Sequence, residues 1–127
     1  MAGLKGIVVS GLGKGKGFIK EENYEQKLEK ILGFKPFHGT LNLKVNEGRL
    51  QEFLLGKKMI IIKGFEKNGV EYGAVNCLKT KIKELNDYPV LIVMPAKTIH
   101  KEIVELVAEH SLKEKFNLKK KQEIILV

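Results

Sequence analysis

The chain has 127 residues, and 23 Lys or Arg against 15 Asp or Glu give a formal net charge of +8. This length suits one domain with one hydrophobic core and excludes a two-domain enzyme or a large α/β barrel. The longest uncharged apolar stretch, 88–96, has nine residues, whereas a membrane-spanning helix needs about 20. With no apolar signal segment at the N-terminus, we expect a cytoplasmic protein without a membrane partner.

Lysine supplies nearly all of the positive charge, because Arg49 is the single arginine. Base-edge recognition in DNA favours the planar guanidinium group, so a specific nucleic-acid partner is not expected. A lysine-rich surface would still attract a polyanion such as a nucleoside triphosphate. Cys77 is the only cysteine, which excludes an internal disulfide and predicts a buried, chemically inert side chain.

The first part of the chain predicts two strands and one amphipathic helix. The β-branched run 5–10 predicts a strand that leads into a glycine-rich segment. Apolar residues at helical spacing over 21–32 predict a helix, which Gly33 ends. Alternation over 39–45 predicts a strand with apolar side chains on one face and polar side chains on the other.

The rest of the chain predicts mostly short strands. A single helical turn is predicted over 49–55. Two strands, 58–66 and 70–79, are joined through Asn68-Gly69, a favoured type I′ turn. Ser111 is predicted to cap a helix that extends to Phe116, with Glu114 completing a capping box. The remaining predicted strands cover 88–94, 102–108 and 122–127. Together these elements predict a mainly β (α+β) fold, a barrel decorated by small helices.

Glycine occupies every second position of Gly11-Leu12-Gly13-Lys14-Gly15-Lys16-Gly17. Such a segment after a strand lets successive backbone N–H groups converge on a phosphate, and the two lysines add positive charge. The alternative is a flexible hairpin turn. The spacing matches neither the P-loop nor the Rossmann glycine pattern, so both of those nucleotide folds are excluded.

Three polar side chains in predicted strands are candidates for chemistry. Thr40 and Asn42 share one strand face, about 7 Å apart, and their oxygens are neutral ligands that Mg²⁺ accepts when phosphates and waters complete its coordination. Glu105 stands among apolar residues, where a carboxylate faces either a site or solvent. For all three residues the alternative is a solvated strand face. From spacing alone, His100 and His110 are predicted to be surface or loop histidines.

Three segments occur in the order and with the residues of one known family. They are Gly6-x-Val8-x-Ser10 followed by the glycine segment, then Leu32-Gly33-Phe34-x-Pro36-Phe37-x-Gly39-Thr40-Leu41-Asn42, and finally Thr98-x-His100 with Glu105. Over essentially the whole chain this arrangement resembles the archaeal CTP-dependent riboflavin kinases. The resemblance implies one domain over 1–127, folded as a six-stranded cradle-loop barrel. It also implies transfer of the γ-phosphoryl group of CTP to the 5′-hydroxyl of riboflavin, giving FMN and CDP.

The resemblance also implies roles for individual residues. Residues 11–17 would wrap the CTP phosphates, and Thr40 and Asn42 would hold Mg²⁺. The flavin would contact Thr98, His100 and Glu105. The cytidine nucleotide would contact His110, Ser111, Leu112 and Lys113. In that last segment the family pattern has Ala-Pro where Glu109 and His110 stand, and Arg where Lys113 stands.

Glu105 is the predicted catalytic residue. Its apolar neighbours predict a raised pKa, which suits a group that orients or deprotonates the ribityl hydroxyl. We expect a monomer with Mg²⁺ as cofactor and with riboflavin/FMN and CTP/CDP as partners. Two other functions stay open: a flavin-binding module without catalysis, and a basic swapped-hairpin barrel that binds DNA through its phosphates.

Overall fold

The computed structural model describes residues 3–10, 21–95 and 102–127. The strands in these ranges are β1 (Leu4–Val9), β2 (Leu41–Lys44), β3 (Ile60–Ile62), β4 (Phe65–Lys67), β5 (Val70–Tyr72), β6 (Val75–Ile82), β7 (Tyr88–Pro95), β8 (Ile103–Val107) and β9 (Glu123–Leu126). The helices are α1 (Glu22–Leu32), α2 (Glu47–Leu54) and α3 (Leu112–Phe116), and Lys83–Leu85 forms a 3₁₀ turn. No helix in the described ranges is long and apolar enough to cross a bilayer.

Six strands close into an antiparallel barrel in the order β6-β7-β8-β2-β1-β9. Pairing of Ile82 in β6 with Leu126 in β9 completes the circle. Strand β3 extends the sheet beside β6, and β4 and β5 form a separate hairpin. The predicted mainly β fold with a six-stranded barrel is therefore confirmed.

The barrel interior is filled by one face of each strand. On β2 and just after it, Leu41, Leu43 and Val45 are buried, as the alternation predicts. On β8, Val104 and Leu106 join the same interior cluster. Because successive side chains of a strand point to opposite faces, the polar residues between them must point outward from the barrel.

Helix α1 covers part of the outer barrel surface. Its buried residues Tyr24 and Leu28 pack in a second cluster outside the barrel. The strand residues of that cluster are Ile62, Val75, Cys77, Leu91, Val93 and Val107. Cys77 is fully buried there, as predicted, and burial raises its pKa to about 12. The outer surface is therefore closed over the first part of β6, the second part of β7 and the C-terminal end of β8, while Lys79 and Lys81 of β6 stay exposed.

Local signals place several element ends correctly. Asn68 and Gly69 have φ values of 53° and 77°, as a type I′ turn requires. Ser111 caps α3, with its Oγ accepting a hydrogen bond from Glu114 N at 3.4 Å. Helix α2 is longer than the predicted single turn, because Asn46 caps it by accepting from Arg49 N at 3.0 Å and so moves its start to Glu47.

The two long strands predicted around the Asn68-Gly69 turn are each broken. The first is interrupted at Lys63-Gly64, between β3 and β4, and the second at Gly73-Ala74, between β5 and β6. A Cβ at Gly64 would lie only 2.7 Å from the carbonyl oxygen of Tyr72. This close backbone approach requires glycine, and it separates the outer hairpin from the sheet.

Gly33 ends α1 in the left-handed region, with φ of 86°. We expect Gly33→Ala to lower the free energy of unfolding by about 1 kcal/mol, since a side chain disfavours this conformation. A new Cβ would have no neighbour within 4 Å, so a steric clash contributes nothing. Urea unfolding measures the change. Gly33→Asn should lose less, because asparagine tolerates positive φ better, and equal stability of all three proteins would contradict the prediction.

Candidate functional site

Thr40, Asn42 and Glu105 lie together on the outer surface of the barrel. Thr40 Oγ1 donates a hydrogen bond to Glu105 Oε1 at 3.2 Å, across a sequence separation of 65 residues. Asn42 is paired directly with Glu105 between β2 and β8. Directly paired residues of neighbouring strands point to the same face. The structure therefore brings the predicted metal-binding pair next to the predicted catalytic carboxylate.

Glu105 is neither fully buried nor freely solvated. Burial raises the pKa of its carboxyl group, and the hydrogen bond from Thr40 lowers it by a smaller amount. The net direction agrees with the expectation from its apolar neighbours. A carboxylate whose ionised form is disfavoured accepts a proton more readily than one in water, which suits a general base.

The C-terminal end of β1 lies beside Asn42. Val9, the last residue of β1, is paired with Asn42. The glycine segment 11–17 begins two residues later and lies outside the described residues, so its role in binding phosphates stays a prediction. The strand that precedes this segment in the chain therefore ends beside Asn42.

A small cavity joins the start of β2 to the segment that follows β8. It has a volume of about 50 Å³, and its lining includes Gly39, Thr40 and all four residues of 110–113. The hydrogen bond from Phe37 N to Ala108 O, at 2.8 Å, holds the two segments together. The cavity is too small for a nucleoside, so it can receive only part of one.

The four residues of 110–113 face different surroundings. Ser111 Oγ caps α3, and the Leu112 side chain is buried in the barrel core. His110 Nδ1 lies 3.0 Å from the Tyr88 hydroxyl. Lys113 is exposed. A nucleotide at this segment would therefore meet mainly its backbone and the side chains of His110 and Lys113.

Two of the three predicted flavin contacts precede β8 in the chain. Thr98 and His100 lie outside the described residues, between Pro95 at the end of β7 and Glu102. In the antiparallel β7–β8 pair, Val93 is opposite Glu105. The connection therefore leaves β7 at the end where β8 begins, and Glu105 stands between this end and the cavity at 110–113.

The side-chain oxygen atoms of Thr40, Asn42 and Glu105 suit magnesium better than a transition metal. No group of three or more His, Cys, Asp or Glu within 3–10, 21–95 and 102–127 could hold a metal ion. Mg²⁺ is commonly bound by one or two protein oxygens, with phosphate oxygens and waters completing its octahedron. The Thr40 hydroxyl, the Asn42 amide oxygen and the nearby Glu105 carboxylate fit that requirement.

No sequence pattern gives Phe37 an individual role. This aromatic side chain lines the small cavity and is 41% exposed. Its position just before Gly39-Thr40 was the available signal, but a single phenylalanine near a strand start is more often part of a core. Only the tertiary structure shows that it borders the cavity.

A family model matches residues 8–127; it is named CTP-dep_RFKase and described as a domain of unknown function, DUF120. Curated relatives named riboflavin kinase match almost the whole chain. The protein of Saccharolobus solfataricus is 35% identical over 97% of this chain and 71% of its own length. That of Pyrobaculum aerophilum is 40% identical over 91% of this chain and 55% of its own length. That of Methanocorpusculum labreanum is 32% identical over 98% of this chain and 56% of its own length.

These matches confirm the family resemblance drawn from the three sequence segments. The curated relatives carry the name of a phosphotransferase. The chain spans little more than half the length of two of the three relatives described above.

Proposed function

We propose that this chain, which belongs to the CTP-dependent riboflavin kinase family, transfers the γ-phosphoryl group of CTP to the 5′-hydroxyl of riboflavin with the help of Mg²⁺. The observation that carries the proposal is the contact between Thr40 and Glu105, with Asn42 beside them. It supplies metal-ligand oxygens and a proton acceptor at one place on the barrel surface.

In the proposed reaction, the riboflavin 5′-oxygen forms a bond to the γ-phosphorus of CTP. The bond from that phosphorus to the β,γ-bridging oxygen breaks, and CDP leaves with the electron pair. The proton of the 5′-hydroxyl passes to the Glu105 carboxylate. Thr40 donates to Glu105 Oε1, which orients the carboxylate. Phosphoryl transfer requires little covalent participation by a protein, so positioning and charge supply most of the catalysis.

Thr40 and Asn42 would hold the magnesium ion. When bound, Mg²⁺ neutralises negative charge on the phosphate oxygens of the nucleotide. The glycine segment 11–17, with Lys14 and Lys16, would surround the same phosphates from the end of β1. The cytidine would lie toward residues 110–113, next to the cavity that Thr40 lines.

The deciding experiment incubates the protein with riboflavin, Mg²⁺ and one of CTP, ATP, GTP or UTP, and separates the products by chromatography. We expect FMN and CDP in equal amounts with CTP, slower turnover with the other nucleotides, and none when EDTA removes the metal. Binding of riboflavin without FMN formation from any nucleotide would overturn the kinase proposal in favour of a flavin-binding module. Equal rates with all four nucleotides would overturn the choice of CTP.

The basic surface also permits a direct test for nucleic acid. We propose a monomer without a specific nucleic-acid partner. In a gel-shift assay at physiological salt, lysines alone should give only weak and sequence-independent retention. Tight binding of one DNA sequence would contradict this proposal.

A further inference from the structure

The short segment 35–39 leads from α1 to Thr40, and a carboxylate of α1 lies against it. His38 Nε2 contacts Oε2 of Glu25, and Lys35 Nζ lies 3.7 Å from the other oxygen, Oε1. Both oxygens of one carboxylate therefore face the residues that come directly before Thr40.

The contact with His38 is the stronger of these two. The side chain of Glu25 is 22% exposed and that of His38 is 36% exposed, whereas that of Lys35 is 70% exposed. Ion pairs with a freely solvated partner contribute little, because water and salt screen the charges. The contact between Glu25 and His38 is therefore the one that can hold the segment in place.

The start of α1 is fixed to the outer hairpin, so the helix can serve as a support. The Tyr24 hydroxyl donates to Gly73 O at 2.6 Å, at the end of β5. Lys67 Nζ of β4 lies 3.5 Å from Oε2 of Glu21, whose side chain is only 12% exposed. These two contacts precede Glu25 by one turn or less, and they fix the position of its carboxylate.

The backbone between His38 and Thr40 is tightly turned. Gly39 N donates to Phe37 O at 2.9 Å, and a Cβ at Gly39 would lie only 2.8 Å from the Phe37 ring. The position of His38 therefore determines where the chain enters Thr40. Thr40 Oγ1 in turn donates to Glu105 Oε1, so a continuous series of contacts links α1 to the proposed catalytic group.

We propose that Glu25 is a positioning residue: its carboxylate holds His38 and thereby fixes the Thr40 hydroxyl beside Glu105 and the metal ion. This inference rests on the proposed function and adds a residue of α1 that acts through Thr40 rather than on a substrate. Residues that orient a metal ligand commonly contribute about 10–100-fold to metal affinity or activity. The competing role for the contact is stabilisation of the fold alone.

Steady-state kinetics distinguishes these two roles. Glu25→Ala should lower kcat for FMN formation by about 10–100-fold and raise the Mg²⁺ concentration needed for half-maximal turnover, while the KM for riboflavin changes little. His38→Ala should reproduce both effects. His38→Gln should recover most of the activity, because its amide can still donate to Glu25. The matched control is Glu29→Ala, which removes an exposed carboxylate one turn further along α1 and should behave as wild type.

A double variant tests whether Glu25 acts through Thr40. In the Thr40→Val background, Glu25→Ala should cause little further loss of turnover, because the hydroxyl that it positions is already absent. If the losses of the two single variants multiply instead, Glu25 acts independently of Thr40 and the proposal is overturned.

A measurement without nucleotide or metal reports the Thr40 side chain directly. Three-bond NMR couplings give the χ1 rotamer of a threonine. We expect a single Thr40 rotamer in the wild-type protein and in Glu29→Ala, and averaged couplings in Glu25→Ala. Circular dichroism checks the fold, and His38→Ala decides if Glu25→Ala does not fold. Unchanged Thr40 couplings, or unchanged kcat and Mg²⁺ dependence, would leave the contact a role in stability only and overturn the proposal.

The positioning role and the kinase proposal fail in distinguishable ways. If the wild-type protein makes FMN and Glu25→Ala has normal kinetics, the positioning role is wrong and the kinase proposal stands. If the wild-type protein makes no FMN, the kinase proposal is wrong, and the Thr40 couplings alone decide whether Glu25 positions this side chain.

Discussion

Turnover should fall by about a hundredfold or more in Thr40→Val and in Asn42→Ala, while both variants keep the wild-type fold. Each change removes an oxygen that would hold Mg²⁺, and a bound metal ion contributes several kcal/mol to catalysis. Neither side chain belongs to the barrel core, so stability should change little. The measurements are the rate of FMN formation and its dependence on Mg²⁺ concentration, which should shift to higher concentrations in both variants.

Two further variants control this result. Thr40→Ser keeps the hydroxyl and should keep turnover within about tenfold of wild type. Asn76→Ala changes an asparagine of β6, which is separated from β2 by β7 and β8, and should be fully active. Unchanged kinetics in Thr40→Val and Asn42→Ala would mean that the two residues form only a solvated strand face.

Thr40→Val should have a second effect that Asn42→Ala lacks. The hydrogen bond from Thr40 to Glu105 lowers the pKa of that carboxyl group. Thr40→Val should therefore move the acid limb of the residual activity to higher pH, because more Glu105 is protonated at a given pH. Asn42→Ala should leave the limb in place, so the pH profile distinguishes metal binding from carboxylate positioning.

Glu105→Gln is expected to lower kcat by about 10²–10⁴, the usual contribution of a general acid or base. Glutamine preserves the size of the side chain and can still accept from Thr40, but it cannot take up the proton. The KM for riboflavin should change much less than kcat. A wild-type kcat with only a raised KM would make Glu105 a binding group.

Glu105→Gln should lower kcat, but it should not lower the stability of the protein. Because burial raises the pKa of Glu105 in the folded state, the protonated form is favoured by folding. This contribution is fully present below the pKa of the unfolded chain and is lost as pH rises through the folded pKa. At neutral pH, Glu105→Gln should therefore be at least as stable as wild type.

Urea unfolding at several pH values tests this prediction. Relative to wild type, the stability of Glu105→Gln should rise from acidic to neutral pH. The control is Glu114→Gln, since Glu114 is an exposed carboxylate in the first turn of α3, where a negative charge is favourable, and its removal should give no such rise. Strong destabilisation of Glu105→Gln at neutral pH would indicate that the ionised carboxylate stabilises the fold.

The sequence by itself determined the local elements of this protein. The helical spacing over 21–32, the glycine that follows it and the Asn68-Gly69 turn are local patterns, and each depends on the backbone preferences of a few consecutive residues. The alternation over 39–45 likewise determined that Thr40 and Asn42 face away from the apolar side chains. The apolar neighbours of Glu105 were also sufficient to predict the direction of its pKa shift.

Only the tertiary structure decided which of these residues meet. Thr40 and Glu105 are 65 positions apart, and the pairing of Asn42 with Glu105 joins β2 to β8, with five other strands between them in chain order. The register between such strands depends on how side chains from the whole barrel pack inside it, which no short segment encodes. For the same reason, the break at Gly64 arises from the close approach of residues 72–74 and leaves no local pattern.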